Sequence, residues 1–151
     1  RAPDGNQIVV YNLGIPGADA YEGNTLATHV RRAYAGATGS NVTNISITSG
    51  NRLPFESPGK RFHVVSTPVT YYCDLGTGVL RRYWNYAIAV AQPTPPGGSN
   101  AVLARNITGC SFTYTASGAT ARTGIVALTL VVSQSGETVQ LFQQAHVNNV
   151  P

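Results

Sequence analysis

The chain has 151 residues, enough for one domain that buries roughly two-thirds of the surface its unfolded form exposes, and no second core is expected. Only 11% of the residues are charged, against about a quarter in ordinary globular proteins, which argues against an intracellular enzyme. The net charge of +4 is dispersed in the doublets Arg31-Arg32, Lys60-Arg61 and Arg81-Arg82. In a strand the two members of a doublet point to opposite faces, so no face collects a nucleic-acid-binding stripe.

Sixteen glycines, nine prolines and abundant Ser, Thr and Asn predict a mainly β chain of short antiparallel strands with at most short helical segments. "NQIVVYNL" at residues 6–13 is the first strand signal, followed by a Gly- and Pro-containing loop. Residues 25–34 fit two patterns, a helical spacing of Leu26 and Val30 or an irregular strand through "THVRRAY". "NISITS" sets Ile45 and Ile47 on one face of a short strand, and "RLPFESPGK" is a proline-broken loop. "RFHVVSTPVTYYC" has strand composition for thirteen residues with Pro68 in its middle, which calls for an edge strand or a bulge. "DLGTG" then turns the chain into a long strand, "VLRRYWNYAIAV", and "QPTPPGGSN" forms an exposed connector.

In "NAVLARNITG", Val102, Leu103 and Ile107 suggest one or two helical turns capped by Ser99 or Asn100 and stopped by Gly109. "CSFTYT" alternates Cys110, Phe112 and Tyr114 against Ser and Thr, a strand with one dry face. "GIVALTLVVS" and "ETVQLFQQAHV" flank "SQSG" as a hairpin turning at Gly136. Val126, Leu128, Leu130 and Val132 share a face of its first strand, an interior strand covered on both sides; Val139, Leu141 and Val147 share a face of the second.

The two cysteines, Cys73 and Cys110, fit either a single disulfide in an oxidising compartment or two buried thiols. Each lies on the apolar face of its strand, which favours the bridge, and closing a loop of about 37 residues would stabilise the fold by roughly 3–4 kcal/mol. Arg82 shares a strand face with Leu80 and Trp84, and Arg81 with Val79 and Tyr83. Arginine stacking on the aromatic rings is the favoured reading, with ligand binding as the alternative. His29, His63 and His146 are too scattered for a metal site, and no paired acids, phosphate loop, nucleophile elbow or dinucleotide loop occurs. No enzyme, cofactor or metal is therefore expected. Sequons at Asn41, Asn44 and Asn106 are chance matches in a chain this rich in Asn and Thr.

The segments "VTYYCD", "LRRYWNYAI", "LARNITGCSFTY" and "GIVALTLVVSQSGETVQLFQQAHVNNVP" resemble, in order, the soluble domain of the MshO family of minor pilin-like proteins from MSHA-type type IV pilus systems. The likeness is strong over residues 55–151 and looser from Gly5 onward. It implies a pseudopilin-like β-rich head occupying residues 1–151 as a single soluble domain, behind a long apolar N-terminal helix that anchors the bacterial protein in the inner membrane before it enters the pilus. Neither that helix nor a prepilin cleavage motif occurs in these residues, so Arg1 is read as the start of a truncated head. Two functions follow as expectations. The first is a non-enzymatic assembly subunit for a priming or tip complex, partnered by other minor pilins and the major pilin through the helix, with a largely monomeric isolated head and no nucleic-acid partner. The second is a pilus-tip adhesin touching a glycan or surface through loops at residues 16–24 and 92–100.

Overall fold

A computed structural model describes residues 5–36, 43–48, 52–117 and 123–148. The described residues form nine strands and no helix, in three antiparallel three-stranded sheets, so the protein is all-β. Two compact units divide them: Arg1–Pro68 with Asn85–Gln92, and Val69–Trp84 with Pro93–Val150.

The first unit holds the sheet β2-β1-β3, made of β1 (Gln7–Val9), β2 (Arg31–Ala33) and β3 (His63–Val65). Val9, Ala18 and Val30 form its small core, with Leu13, Ala20 and Val65 against them. Beside this core lie Gln7, Arg31 and Arg32, all buried. Arg32 donates from one guanidinium nitrogen to the carbonyls of His29 and Arg31 (2.6 and 2.8 Å) and from the other to that of Arg52 (3.1 Å). Its Nε is buried without a partner. Arg31 donates to the Ala20 carbonyl and to Gln7 Oε1, which also accepts from Asn24. A charged donor bonded to a carbonyl contributes about 1.5–3 kcal/mol, so these two side chains tie loops that carry few apolar residues of their own. The doublet at 31–32 thus faces inward on both members. The ambiguous segment at 25–34 resolves as turn and short strand, and Ile47 makes a single bridge to Tyr34 instead of a full strand.

The thirteen-residue run around Pro68 is two strands, β3 and β4 (Thr70–Asp74), which lie at the edges of different sheets. Pro68, which has no N–H to give a ladder, belongs to neither strand and falls in the break between them, instead of in an edge strand or a bulge. In the second unit β4 pairs with β5 (Val79–Trp84), and β5 with β6 (Ser99–Arg105). Asp74 closes the β4–β5 turn: one carboxylate oxygen accepts from the N–H groups of Gly76 and Thr77, the other from the Thr77 hydroxyl at 2.7 Å. The long strand expected through residue 90 stops at Trp84, because Asn85 turns the backbone into the left-handed region at φ 57°.

The helical turns expected in "NAVLARNITG", between Asn100 and Gly109, are instead strand β6 and the start of the next strand. Leu103 is half-exposed and Ile107 fully buried, so their spacing does not make one apolar stripe. Asn106 at φ 61° separates β6 from β7 (Ile107–Ser117), which runs on into the third sheet. That sheet is the meander β7-β8-β9, with β8 (Thr123–Gln134) between β7 and β9 (Glu137–Asn148). The two-residue turn Ser135-Gly136, at φ 53° and 84°, has positive φ at both positions, the geometry that matches the twist of a tight hairpin.

The core of this unit, Leu80, Ile107 and Leu130, is flanked by Cys73, Ala104, Cys110, Leu128 and Val132. Within it a disulfide joins Cys73 of β4 to Cys110 of β7, with Cα atoms 6.4 Å apart. The bridge links the two sheets of the unit where they share apolar side chains.

Candidate functional site

The third sheet presents two faces set by its register. One carries Cys110, Phe112 and Tyr114 on β7, Val126, Leu128, Leu130 and Val132 on β8, and Val139, Leu141 and Val147 on β9. Alternation was expected to make this face dry along β7, and β8 was expected to be covered. Only the part around Leu130 and Cys110 is buried against the core. Phe112 and Tyr114 are 43% and 52% exposed, and Val139, Leu141 and Val147 are 56%, 54% and 38% exposed. The correction has a simple cause: the disulfide-linked cluster covers only one portion of the face. β8 is interior to the sheet as expected, but most of its residues are only half-buried. Apolar side chains gathered on one face of a sheet mark a surface for packing against another molecule more often than a solvated exterior.

The aromatic and arginine residues of the second sheet sort by face. The Arg82 guanidinium lies 5.0 Å from the centroid of the Trp84 ring, a cation–π contact of the kind expected. Arg81 instead donates to Asn100 Oδ1 at 2.9 Å. Tyr72 and Tyr83 meet edge to face with centroids 6.4 Å apart. Asp74 in the adjoining turn is held below the usual carboxylate range, chiefly by the Thr77 hydroxyl, then by backbone N–H groups and the Arg81 charge.

A cleft of about 720 Å³ in the first unit went unnoticed in the sequence, because its residues read only as a broken loop. Arg52, Lys60 and Arg61 line it with Glu56, Phe55 and Phe62. Ser57 shapes the loop: its carbonyl accepts from the Lys60 N–H and its hydroxyl from the Arg61 N–H. Tyr11 packs against Phe55 at 6.2 Å between centroids. Three cations, one carboxylate and two rings suit an anionic ligand with an apolar part.

Of the two loops named above, residues 16–24 contribute Ala20 and Tyr21 to a separate, smaller cleft with Asn12 and Ile88. Partial burial, with Tyr86 and Asp19 nearby, holds the Tyr21 hydroxyl above its ordinary range. The second loop ends in β6, where Ser99 and Asn100 are strand residues.

The histidines stand apart. His29 Nδ1 accepts from the N–H groups of Thr25 and Leu26, a structural use; His63 lies on β3 and His146 on β9. No group of three or more His, Cys, Asp or Glu residues that could hold a metal occurs among the described residues. Asn44 and Asn106 are exposed, and Asn106 donates to Gln134; Asn41, Arg1 and the last residues of "HVNNVP" lie outside the described residues. No described helix is long and apolar enough to cross a membrane. No family model, no curated protein and no solved structure matches the chain.

Proposed function

We propose that this chain is the globular head of a non-enzymatic minor pilin or pseudopilin subunit that helps assemble an MSHA-type type IV pilus, within a priming or tip complex. The observation that carries the reading is the exposed apolar face of β7-β8-β9, from Phe112 and Tyr114 to Val139 and Leu141, on a charge-poor β-domain. An assembly subunit needs such a surface to pack against its neighbours, whereas a soluble enzyme would hide it. The segments that resemble MshO-type proteins support the choice of pilus system. On this reading an apolar N-terminal helix anchors the full-length protein in the inner membrane with its head in the periplasm, and the same helix packs it among other minor pilins and the major pilin.

Deleting the gene and counting surface pili by electron microscopy tests the proposal. Assembly function predicts fewer pili, restored by the wild-type protein. Normal pilus numbers would overturn it, and normal numbers with lost attachment would move the assignment to the second reading, a ligand-binding tip adhesin. That reading draws on the cleft lined by Arg52, Lys60, Arg61, Phe55 and Phe62.

A further inference from the structure

We propose that the outer edge of β9 is a pairing edge for a second copy of this chain, joined to it antiparallel about a two-fold axis through Phe142. β9 is twelve residues long, lies at the edge of its sheet and is exposed from Glu137 to Val147. The direction of its backbone groups follows from the ladder. The Ser133 N–H donates to the Asn106 carbonyl, and the Val131 carbonyl accepts from the Thr108 hydroxyl, so the odd-numbered residues of β8 face β7 and the even-numbered ones face β9. Their register partners on β9 are Glu137, Val139, Leu141, Gln143, Ala145 and Val147. The N–H and C=O groups of Thr138, Gln140, Phe142, Gln144 and His146 therefore point away from the sheet.

Strand edges are ordinarily protected by Lys, Pro, a bulge or a covering segment. β9 has no Lys, Arg, Pro or Gly, its ladder to β8 shows no bulge, and its only formal charge is Glu137 at one end. The neighbouring strands β7 and β8 carry no Lys, Arg, Asp or Glu at all. In a chain of net charge +4, this sheet is where two copies meet with least repulsion.

Antiparallel pairing keeps facing residues on the same side of the sheet and pairs outward-pointing backbone groups with each other, so the axis must pass through a residue and not between two. Of the two residues at the middle of β9, Phe142 and Gln143, Phe142 is the one that brings a large exposed ring onto its own counterpart, setting Gln140 opposite Gln144 of the second copy, Thr138 opposite His146 and Leu141 opposite Gln143. About ten backbone hydrogen bonds result. One competitor must be displaced: the Gln143 side chain now donates to the Gln144 carbonyl at 3.3 Å. The 62% exposed Phe142 would meet its own counterpart on the axis, and the apolar faces would continue from one copy into the next. The contact is about 36 Å long and one strand wide, at the low end of specific interfaces, so the dimer is weak and the chain is monomeric when dilute. This edge is distinct from the face invoked for pilus assembly, and its test does not depend on that assignment.

Sedimentation equilibrium of the full chain from about 5 to about 500 µM should show a reversible monomer–dimer equilibrium, with Kd on the order of 100 µM. Gln140→Pro removes an outward N–H and leaves the β8 ladder intact, and Phe142→Lys places a charge on the axis; each should weaken the dimer at least about tenfold. Phe142→Cys should crosslink to itself under mild oxidation, since directly opposed residues of a hydrogen-bonded pair have Cα atoms about 5.5 Å apart, within disulfide reach. Thr138→Cys should not, because its own counterpart would lie about 26 Å away. A monomer at every concentration overturns the proposal, as does a dimer indifferent to both edge variants or equal crosslinking of the two cysteine variants.

Discussion

Leu130 and Leu141 are paired across the β8–β9 ladder and share a sheet face, yet they sit in opposite environments. Leu130 is 9% exposed within the disulfide-linked core, and Leu141 is 54% exposed. Truncating leucine to alanine removes three carbon groups, worth about 2.4 kcal/mol when fully buried. At Leu130 nearly all of that applies, and the surrounding Leu80, Ile107 and Cys110 cannot collapse fully into the space, so a cavity contribution brings the expected cost to about 3–4 kcal/mol. At Leu141 under half of the transfer contribution applies and solvent fills the gap, so the cost is about 1 kcal/mol or less. Urea unfolding followed by the fluorescence of Trp84, the only tryptophan and a residue of the same unit, measures both variants. Equal losses at the two positions would refute the account of a face buried on one side and open on the other.

Other outcomes are expected from the same structure. Alkylation without reduction should leave the intact mass unchanged, and Cys73→Ser with Cys110→Ser should cost about 4 kcal/mol by releasing a 37-residue loop. Because Asp74 has its folded-state pKa depressed, its contribution to stability is present above the unfolded value and is lost as pH falls through the folded one. The stability difference between wild type and Asp74→Asn should therefore stay constant at neutral pH and shrink below about pH 4, and a difference that grew on acidification would contradict the assigned bonds. Arg32→Lys keeps the charge but cannot serve three carbonyls in the same geometry, so it should cost the first unit about 2–3 kcal/mol, read as faster amide exchange in β1 and β2 with β8 unaffected.

The strands of the second unit were legible where local signals agreed. Alternation in "CSFTYT", the turn glycine of "SQSG" and the apolar positions of β8 all describe one hairpin geometry, and Cys73 and Cys110 fell on the strand faces that meet. The errors came from what alternation cannot encode. It assigns a residue to a face without saying whether anything covers that face, which is why Phe112 and Tyr114 were expected to be dry. β6 was misread because Ile107 belongs to the next strand across a left-handed Asn106, so a break looked like part of a helical stripe. The first unit was least legible, since its short strands depend on Arg31 and Arg32 reaching carbonyls at Ala20, His29 and Arg52, contacts that leave no periodic trace. The cleft beside that last carbonyl was missed for the same reason.

The chain passes from one compact unit to the other after Pro68, returns after Trp84 and leaves again after Gln92. During synthesis the first unit therefore cannot be completed by its own leading residues; it waits until the β4–β5 hairpin has emerged and residues 85–92 follow. A fragment ending at residue 68 lacks Tyr86, whose carbonyl receives the Thr67 hydroxyl, and a fragment beginning at residue 69 carries residues 85–92 away from the body they complete. Neither unit can be excised with a single cut, so limited proteolysis in the connecting segments should yield nicked protein that stays associated, not two separable domains.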